Sequence, residues 1–458
     1  VTTPCQVKVA YGSNALAASP TYHDITSFCT SIAVRRGRQY LTDKTDAGTC
    51  DIGFVDTSGD LDPTNVSGAY WPMDPNCPAQ VHLRNPFTGN LVQIFQGQVQ
   101  GCPLTVSANG SRANRGTIPL VDLFALLALK ELPASTTFDS DGTASSSANT
   151  SGNIIYEESK VDDRIKALLL DAGVPSGMFS VYTGNVRVLR TTYSPGYTVL
   201  AACQDAADAE WPGIANLFVS SQGIVSFRGR LARFDSGPGN PYGIHTWPVG
   251  GADQVASDPT LALLAHDDFV LDRDLNKIIN SALFCPRGIA DADIAPAPAV
   301  SLGSGSYRQG QLFYNTTSID KYGPRSLTGM DLLTAGGTTG TPNEGDPLAE
   351  TQMFGQWYID NFKDPATRIA QATFRPVRPD AANAEAHWNM LCNIELGDVL
   401  EVNLQTPHGI GFVGANYFVE GISYQIQPGS STVPNVVCTL DLSPGAYYTT
   451  APPHWDGT

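Results

Sequence analysis

Short runs in which apolar and polar residues alternate recur along this chain, and they constrain its fold more than any other feature. Val7, Val9 and Tyr11 alternate, and Ile32 and Val34 alternate ahead of Arg35-Arg36-Gly37-Arg38. Cys50, Ile52 and Phe54 share one face, with Asp51 and Gly53 on the other. Phe95, Gly97 and Val99 alternate with Gln96, Gln98 and Gln100, and Leu104 and Val106 follow. A period of two gives each run one face to bury and one to leave wet, as in a barrel or a sandwich. The pattern returns over 369–374, 399–404, 417–426 and 436–442.

Between these β regions the chain alternates helices and strands. A helix is predicted from Pro119, a good first-turn residue, to about Glu131, with Pro133 stopping it. Residues 133–153, mostly Ser, Thr, Ala, Gly and Asp, read as an exposed loop. Ser159 and Asp162 open a helix whose stripe is Val161, Ile165, Leu168 and Leu169, ended by Gly173 and Pro175. Another helix is expected over 197–209, and a hairpin turns at Ser221-Gln222-Gly223. Asp346-Pro347 starts a helix that runs to about Phe362, and a short one covers 381–391. The expectation is a β-rich α+β chain in which two β-barrel-like domains bracket an α+β middle block. The divisions are 1–118, 119–260 (including the loop 133–153) and 261–458, the last holding the second barrel. No long internal period marks a solenoid or propeller.

Composition bounds the function. Of 458 residues 42% are hydrophobic, enough for real cores. The net charge of −17 argues against a groove built to hold nucleic acid, which wants a Lys/Arg surplus. The longest apolar run, about 120–129, is interrupted by Asp122 and closed by Lys130 and Glu131, so no membrane insertion is expected. No charged n-region followed by an apolar h-region opens the sequence, and no signal peptide is expected. Nine widely spaced Cys include no C-x-x-C pair, which predicts buried, reduced thiols.

The sequence offers little catalytic chemistry. P-loop, H-E-x-x-H, G-x-S-x-G and G-x-G-x-x-G patterns are absent, and the seven His are scattered singly. No catalytic, cofactor-binding or metal residue is predicted. The nearest metal candidate is the run from Asp56 to Asp62, with Asp60 between them. It lacks the closing Glu of a calcium loop and reads better as a turn in which Asp side chains bond backbone N–H groups. In His266-Asp267-Asp268 the two carboxylates point to opposite faces of a strand and cannot share a task. Arg35, Arg36 and Arg38 form a positive patch in an acidic chain. They are read as a candidate subunit-contact turn, because Arg suits bidentate interface pairs, with a solvated turn as the alternative.

Several of these segments together resemble minor tail proteins of siphophages that infect actinobacteria. The resemblance begins with Ile32-Ala33-Val34-Arg35-Arg36-Gly37-Arg38, Ala47-Gly48-Thr49 and Asp60-Leu61-Asp62-Pro63-Thr64-Asn65, with Asp56 where the family often has Asn. It continues through Ile94-Phe95-Gln96-Gly97-Gln98-Val99, the helix from Asp162 to Gly173 and the hairpin from Ser221 to Arg230. Asn280-Ser281-Ala282, Asp320-Lys321-Tyr322-Gly323-Pro324-Arg325, Leu396-Gly397-Asp398 and Tyr417-Phe418-Val419-Glu420-Gly421-Ile422 complete it. The order of these motifs is more specific than any one of them, and 287–306 and 331–346 match nothing in the family.

The resemblance implies a non-enzymatic, tail-hub-like protein without cofactor: a baseplate hub or tail tip assembled in the host cytoplasm and carried in the virion. It implies a homo-trimer at the end of the tail tube that contacts the distal tail ring protein, the tape-measure protein and other minor tail or tip fibre proteins. Genomic DNA would meet it only in passing through the channel during ejection. Two alternatives stand beside it: a hexameric distal tail ring protein, and an extracellular glycan-binding or glycan-cleaving β protein. The six Trp are too dispersed to favour the last.

Overall fold

The computed structural model describes residues 4–70, 74–105, 113–133, 137–138, 144–145, 154–211, 213–234, 241–264, 269–286, 311–332, 334–337, 347–405, 411–428 and 435–448. Strands dominate, as the alternation requires. Cys5–Val9, Thr49–Asp56 and Val399–Leu404 bury every second residue or nearly so. The largest sheet has 15 strands. Its main path runs Ala262–Leu263, Thr246–Gly250, Val399–Leu404, Phe412–Gln427, Cys29–Gly37, Thr49–Asp56, Asn114–Val121, Leu91–Val99, Pro78–Arg84, Cys5–Val9, His23–Asp24.

The strand Phe412–Gln427 organises this sheet because its 16 residues are long enough to serve several neighbours. Its first half pairs with Val399–Leu404, and Gly421–Ile426 pairs antiparallel with Ile32–Gly37. Most of its length also pairs with Asn435–Pro444, which continues to Arg368–Phe374 and Phe269–Asp272. The first and last β regions therefore lie edge to edge and share one core, in which Ile32, Ile52 and Phe95 belong with Trp388, Ile422 and Leu440. Among the described residues no sheet closes into the expected barrels. One long strand joins the two β regions, and the main path keeps open ends at His23–Asp24 and Ala262–Leu263.

A second core belongs to the middle block. The helices Leu123–Leu129, Val161–Asp171 and Val199–Asp208 pack with the hairpin Asn216–Val219/Val225–Arg228 around Phe124, Ile165, Leu168, Val199 and Phe227. The hairpin turns where expected, with Gly223 at φ 74°. A third core collects Trp211, Phe284, Phe354, Tyr358, Phe362 and Tyr448 around the helix Pro347–Phe362.

Two local expectations change. Pro119 does not start a helix but lies in the strand Asn114–Val121, opposite Asp51 on Thr49–Asp56. The helix begins only after Asp122, whose side chain caps it by accepting from the Phe124 N–H. One apolar run thus feeds two elements: Ile118 and Leu120 face the sheet core, while Phe124 and Leu127 face the helical one. At the second helix Lys160, not Ser159, holds the N-cap position and makes no side-chain cap bond. The stretch 133–153 lies largely outside the described residues; within it Thr137–Phe138 pairs with Ala144–Ser145.

Candidate functional site

The three arginines predicted as an exposed contact turn lie in and just beyond a strand, and two of them point inward. Arg35 is exposed, whereas Arg36 and Arg38 are 3% and 7% exposed. Alternation explains the split: Ile32, Val34 and Arg36 share the core face of Cys29–Gly37, and Arg35 takes the other. The turn reading is therefore corrected. Arg36 and Arg38 direct their charge to partners within the chain, leaving Arg35 alone of the three on the surface.

Those partners lie far away in sequence. Arg36 Nη1 reaches Glu395 Oε1 at 2.5 Å, and Glu395 Oε2 accepts from the Ser221 N–H at 2.7 Å. Arg38 Nε donates to Glu420 Oε2 at 2.9 Å and Arg38 Nη2 to the Gly213 carbonyl at 2.7 Å. Arg233 approaches the same Glu420 with Nη1 at 2.5 Å and Nη2 at 3.0 Å, and Ser443 Oγ also donates to it. Burial alone would raise the Glu420 carboxyl, but Arg233 and Arg38 outweigh it and hold it down at about 2. A buried carboxylate with two guanidinium partners and a hydroxyl satisfies its lone pairs, which makes a buried charge tolerable.

The neighbouring turn Glu395–Asp398 repeats the arrangement. Asp398 accepts from the His245 N–H (3.1 Å), Trp247 Nε1 (2.9 Å) and the Glu395 N–H (3.0 Å). Burial raises its carboxyl to about 6 against those bonds and Arg228. Arg228 itself donates to the Leu396 carbonyl at 2.9 Å. Gly37 fits between these parts at φ 83°, where a Cβ would stand 2.2 Å from the Glu420 carbonyl oxygen.

Four of the segments that resemble the tail-protein family thus meet in space. The Ile32–Arg38 segment touches Glu395 and Glu420, the hairpin turn at Ser221 is held by Glu395, and Arg228 of that hairpin grips the Leu396-Gly397-Asp398 turn. Gln93 Nε2 also donates to the Ser221 carbonyl at 2.9 Å. Farther along, Asn280 ties two more of these segments together. Its Nδ2 donates to the Gly323 carbonyl (2.9 Å), and its Oδ1 accepts from the Arg325 N–H (2.7 Å). The arrangement positions backbone turns from distant parts of the chain.

Asp56 behaves as a turn residue. Its carboxylate accepts from the N–H groups of Ser58, Gly59 and Leu61, each at 2.9 Å. Burial works against the charged form, but those bonds outweigh it and lower the pKa. His266-Asp267-Asp268 lies outside the described residues. Among the described residues no group of three or more His, Cys, Asp or Glu side chains is placed to hold a metal ion. Cys5, Cys29, Cys50, Cys77, Cys102, Cys203, Cys392 and Cys438 are free thiols. Sequence reading gave no role to Glu420, Arg233, Glu395 or Asp398. The available signal was a lone charge inside an apolar strand, Glu420 following Tyr417-Phe418-Val419.

No family model matches the sequence, and no curated protein matches it. Solved structures do. A tail protein from Neisseria meningitidis MC58 superposes with a TM-score of 0.52 at 12% identity, over 97% of this chain and 98% of that one. The 43 kDa tail protein of prophage MuSo2 from Shewanella oneidensis gives 0.49 at 9% identity, over 97% and 99%. Prophage tail protein gp18 from Listeria monocytogenes EGD-e gives 0.46 at 10% identity, over 95% and 94%. The first superposition shows that this chain shares the fold of that tail protein along nearly its whole length.

Proposed function

We propose that this chain is a structural component of a bacteriophage tail, acting as the baseplate hub at the end of the tail tube. The observation that carries the reading is the end-to-end likeness to the Neisseria tail protein, with almost nothing left over on either chain. The resemblance of ten ordered segments to siphophage minor tail proteins supports it as well, and six of those segments meet at joints of the fold. The hub is a homo-trimer that bears on the distal tail ring and the tape-measure protein and carries tip or fibre proteins. DNA crosses it in transit, and a chain of net charge −17 offers a polyanion little to adhere to. Arg35, exposed beside the buried pair, is the arginine of that segment available to a neighbouring subunit.

Immunogold electron microscopy of virions, with antibody raised against this chain, tests the position. Label confined to the distal tip of the tail supports the hub. Label along the tail shaft or on the head, or no label on intact particles, contradicts it.

A further inference from the structure

Near one open end of the large sheet, four aromatic rings gather at the surface. Tyr11, Phe28 and Tyr70 are half-buried and His23 is exposed. Ring centroids lie 5.3 Å apart for Tyr11 and Tyr70, 6.0 Å for Tyr11 and His23, 6.2 Å for His23 and Tyr70, and 6.0 Å for Phe28 and Tyr70. Tyr70 is fixed at the middle, its hydroxyl donating to the Asp24 carbonyl at 3.2 Å. The loop that delivers it is pinned from Asp60, which accepts from the Ala69 N–H at 3.1 Å and from Ser58 Oγ at 2.6 Å.

The charge around these rings is negative. Burial raises the Tyr70 hydroxyl pKa, and so do the carboxylates of Asp60 and Asp24, so both carboxylates act on that ring. Asp24 accepts hydrogen bonds from Thr26 and from Gln6 Nε2 and stays ionised. The opposing cation is Lys8, which sits across the strand pair from Asp24. Elsewhere the chain stacks its own cations on rings: Arg230 on Trp211 at 4.8 Å, Arg233 on Phe418 at 5.0 Å and Arg368 on Tyr40 at 4.2 Å. Among the described residues none is placed over the Tyr11–His23–Tyr70 group.

We propose that this aromatic cluster, flanked by Asp24 and Asp60, is a docking site for an arginine-bearing segment of a partner protein. Ring faces attract a guanidinium through their quadrupole, and carboxylates beside them add charge complementarity. Aromatic residues partly buried at a surface are also the residues that anchor protein interfaces. The site lies apart from the Arg38–Glu420 junction and does not depend on the chain's being a hub.

The test uses the full chain labelled with 3-fluorotyrosine, with the Tyr70 signal assigned from a Tyr70→Phe variant. Capped Gly-Arg-Gly and its citrulline counterpart, equal in shape but uncharged, are titrated at physiological salt. The proposal expects a saturable shift of Tyr70 with the arginine peptide and binding about tenfold weaker with citrulline. Asp60→Asn and Asp24→Asn should each weaken the arginine peptide severalfold, and Tyr70→Leu should abolish its binding, read in that variant from the signal of Tyr11, assigned in the same way from a Tyr11→Phe variant. Asp60→Asn keeps an oxygen to accept from the Ala69 N–H that holds the Tyr70 loop, so it keeps the test valid if Asp24→Asn disturbs the Thr26 turn. Equal binding of both peptides, no saturable shift, or arginine binding unchanged in Tyr70→Leu would overturn the proposal. The last outcome would mean diffuse attraction to an acidic chain.

Discussion

Without the Glu420 carboxylate, Arg38 and Arg233 would lose the buried counter-charge that they share. Breaking a buried pair from one side costs about 3–5 kcal/mol, far more than a surface pair contributes. Glu420→Ala should lower the stability of the isolated chain by that order, read from urea denaturation with an unchanged slope. Arg35→Glu, on the wet face of the same strand, should change it by less than about 0.5 kcal/mol. Arg36→Glu would set two carboxylates against each other at Glu395, and the chain should fail to accumulate as soluble protein. Equal tolerance of charge reversal at Arg35 and Arg36 would refute the inward assignment.

Other buried acids set a pH dependence. Burial raises Asp122 to about 7 and Asp208 and Asp398 to about 6. A raised carboxyl favours the protonated folded state. Its contribution is complete below the unfolded value near 4 and is lost as pH rises through 6 to 7. Burial holds His387 down at about 4, so its contribution is present above about 6.5 and is lost as pH falls through 4. Glu420 loses its contribution only near pH 2. Between pH 8 and pH 6 the aspartates dominate, so the urea midpoint should rise on acidification over that range. Asp122→Asn should flatten the rise. A midpoint falling from pH 8 to pH 6 would contradict the burial assigned to these groups.

At the scale of elements, Gly37 ends its strand at φ 83°, with the Glu420 carbonyl and the Leu396 side chain against its Cα. Any side chain there meets backbone, so Gly37→Ala should destabilise by more than the roughly 1 kcal/mol typical of a substitution at positive φ. A control at Gly12, φ 73° with open space around it, should cost only the conformational term. Equal losses at the two positions would show that the close approach to Glu420 carries no weight.

The elements themselves were largely legible. Period-two runs became strands with one wet face at Cys5–Val9, Thr49–Asp56 and Val399–Leu404. Leu91–Val99 is a strand as well, but a register shift opposite Val81 and His82 breaks its alternation, and Ile94-Phe95 and Gln98-Val99 are buried as adjacent pairs. The hairpin at Gly223 and the helix Pro347–Phe362 followed from turn and first-turn residues. The start near Pro119 did not, because a strand and a helix sharing one apolar run leave no break in pattern; only the Asp122 cap divides them. Which strands pair was not legible either. Pairing of Gly421–Ile426 with Ile32–Gly37 is a contact between the ends of the chain, and local spacing carries no trace of it. The buried charges were hidden for the same reason. Arg36 and Arg38 look like surface residues until Glu395 and Glu420 are brought to them.

At the scale of the molecule, one sheet bridges both β regions, while the helical block and the aromatic core around Pro347–Phe362 attach at its joints. Ion pairs at Glu395 and Glu420 lock those joints, which suits a part that must hold its shape inside a larger assembly. The exposed Arg35 and the Tyr11–Tyr70 cluster lie on surfaces that an assembly can use. The central claim is that three such chains form the hub, and native mass spectrometry of the purified protein tests it most directly. The account predicts a particle of three copies of the 48.7 kDa chain that persists on dilution. A stable six-copy ring would contradict it and favour the distal tail ring; a chain that stays monomeric at every concentration would contradict both.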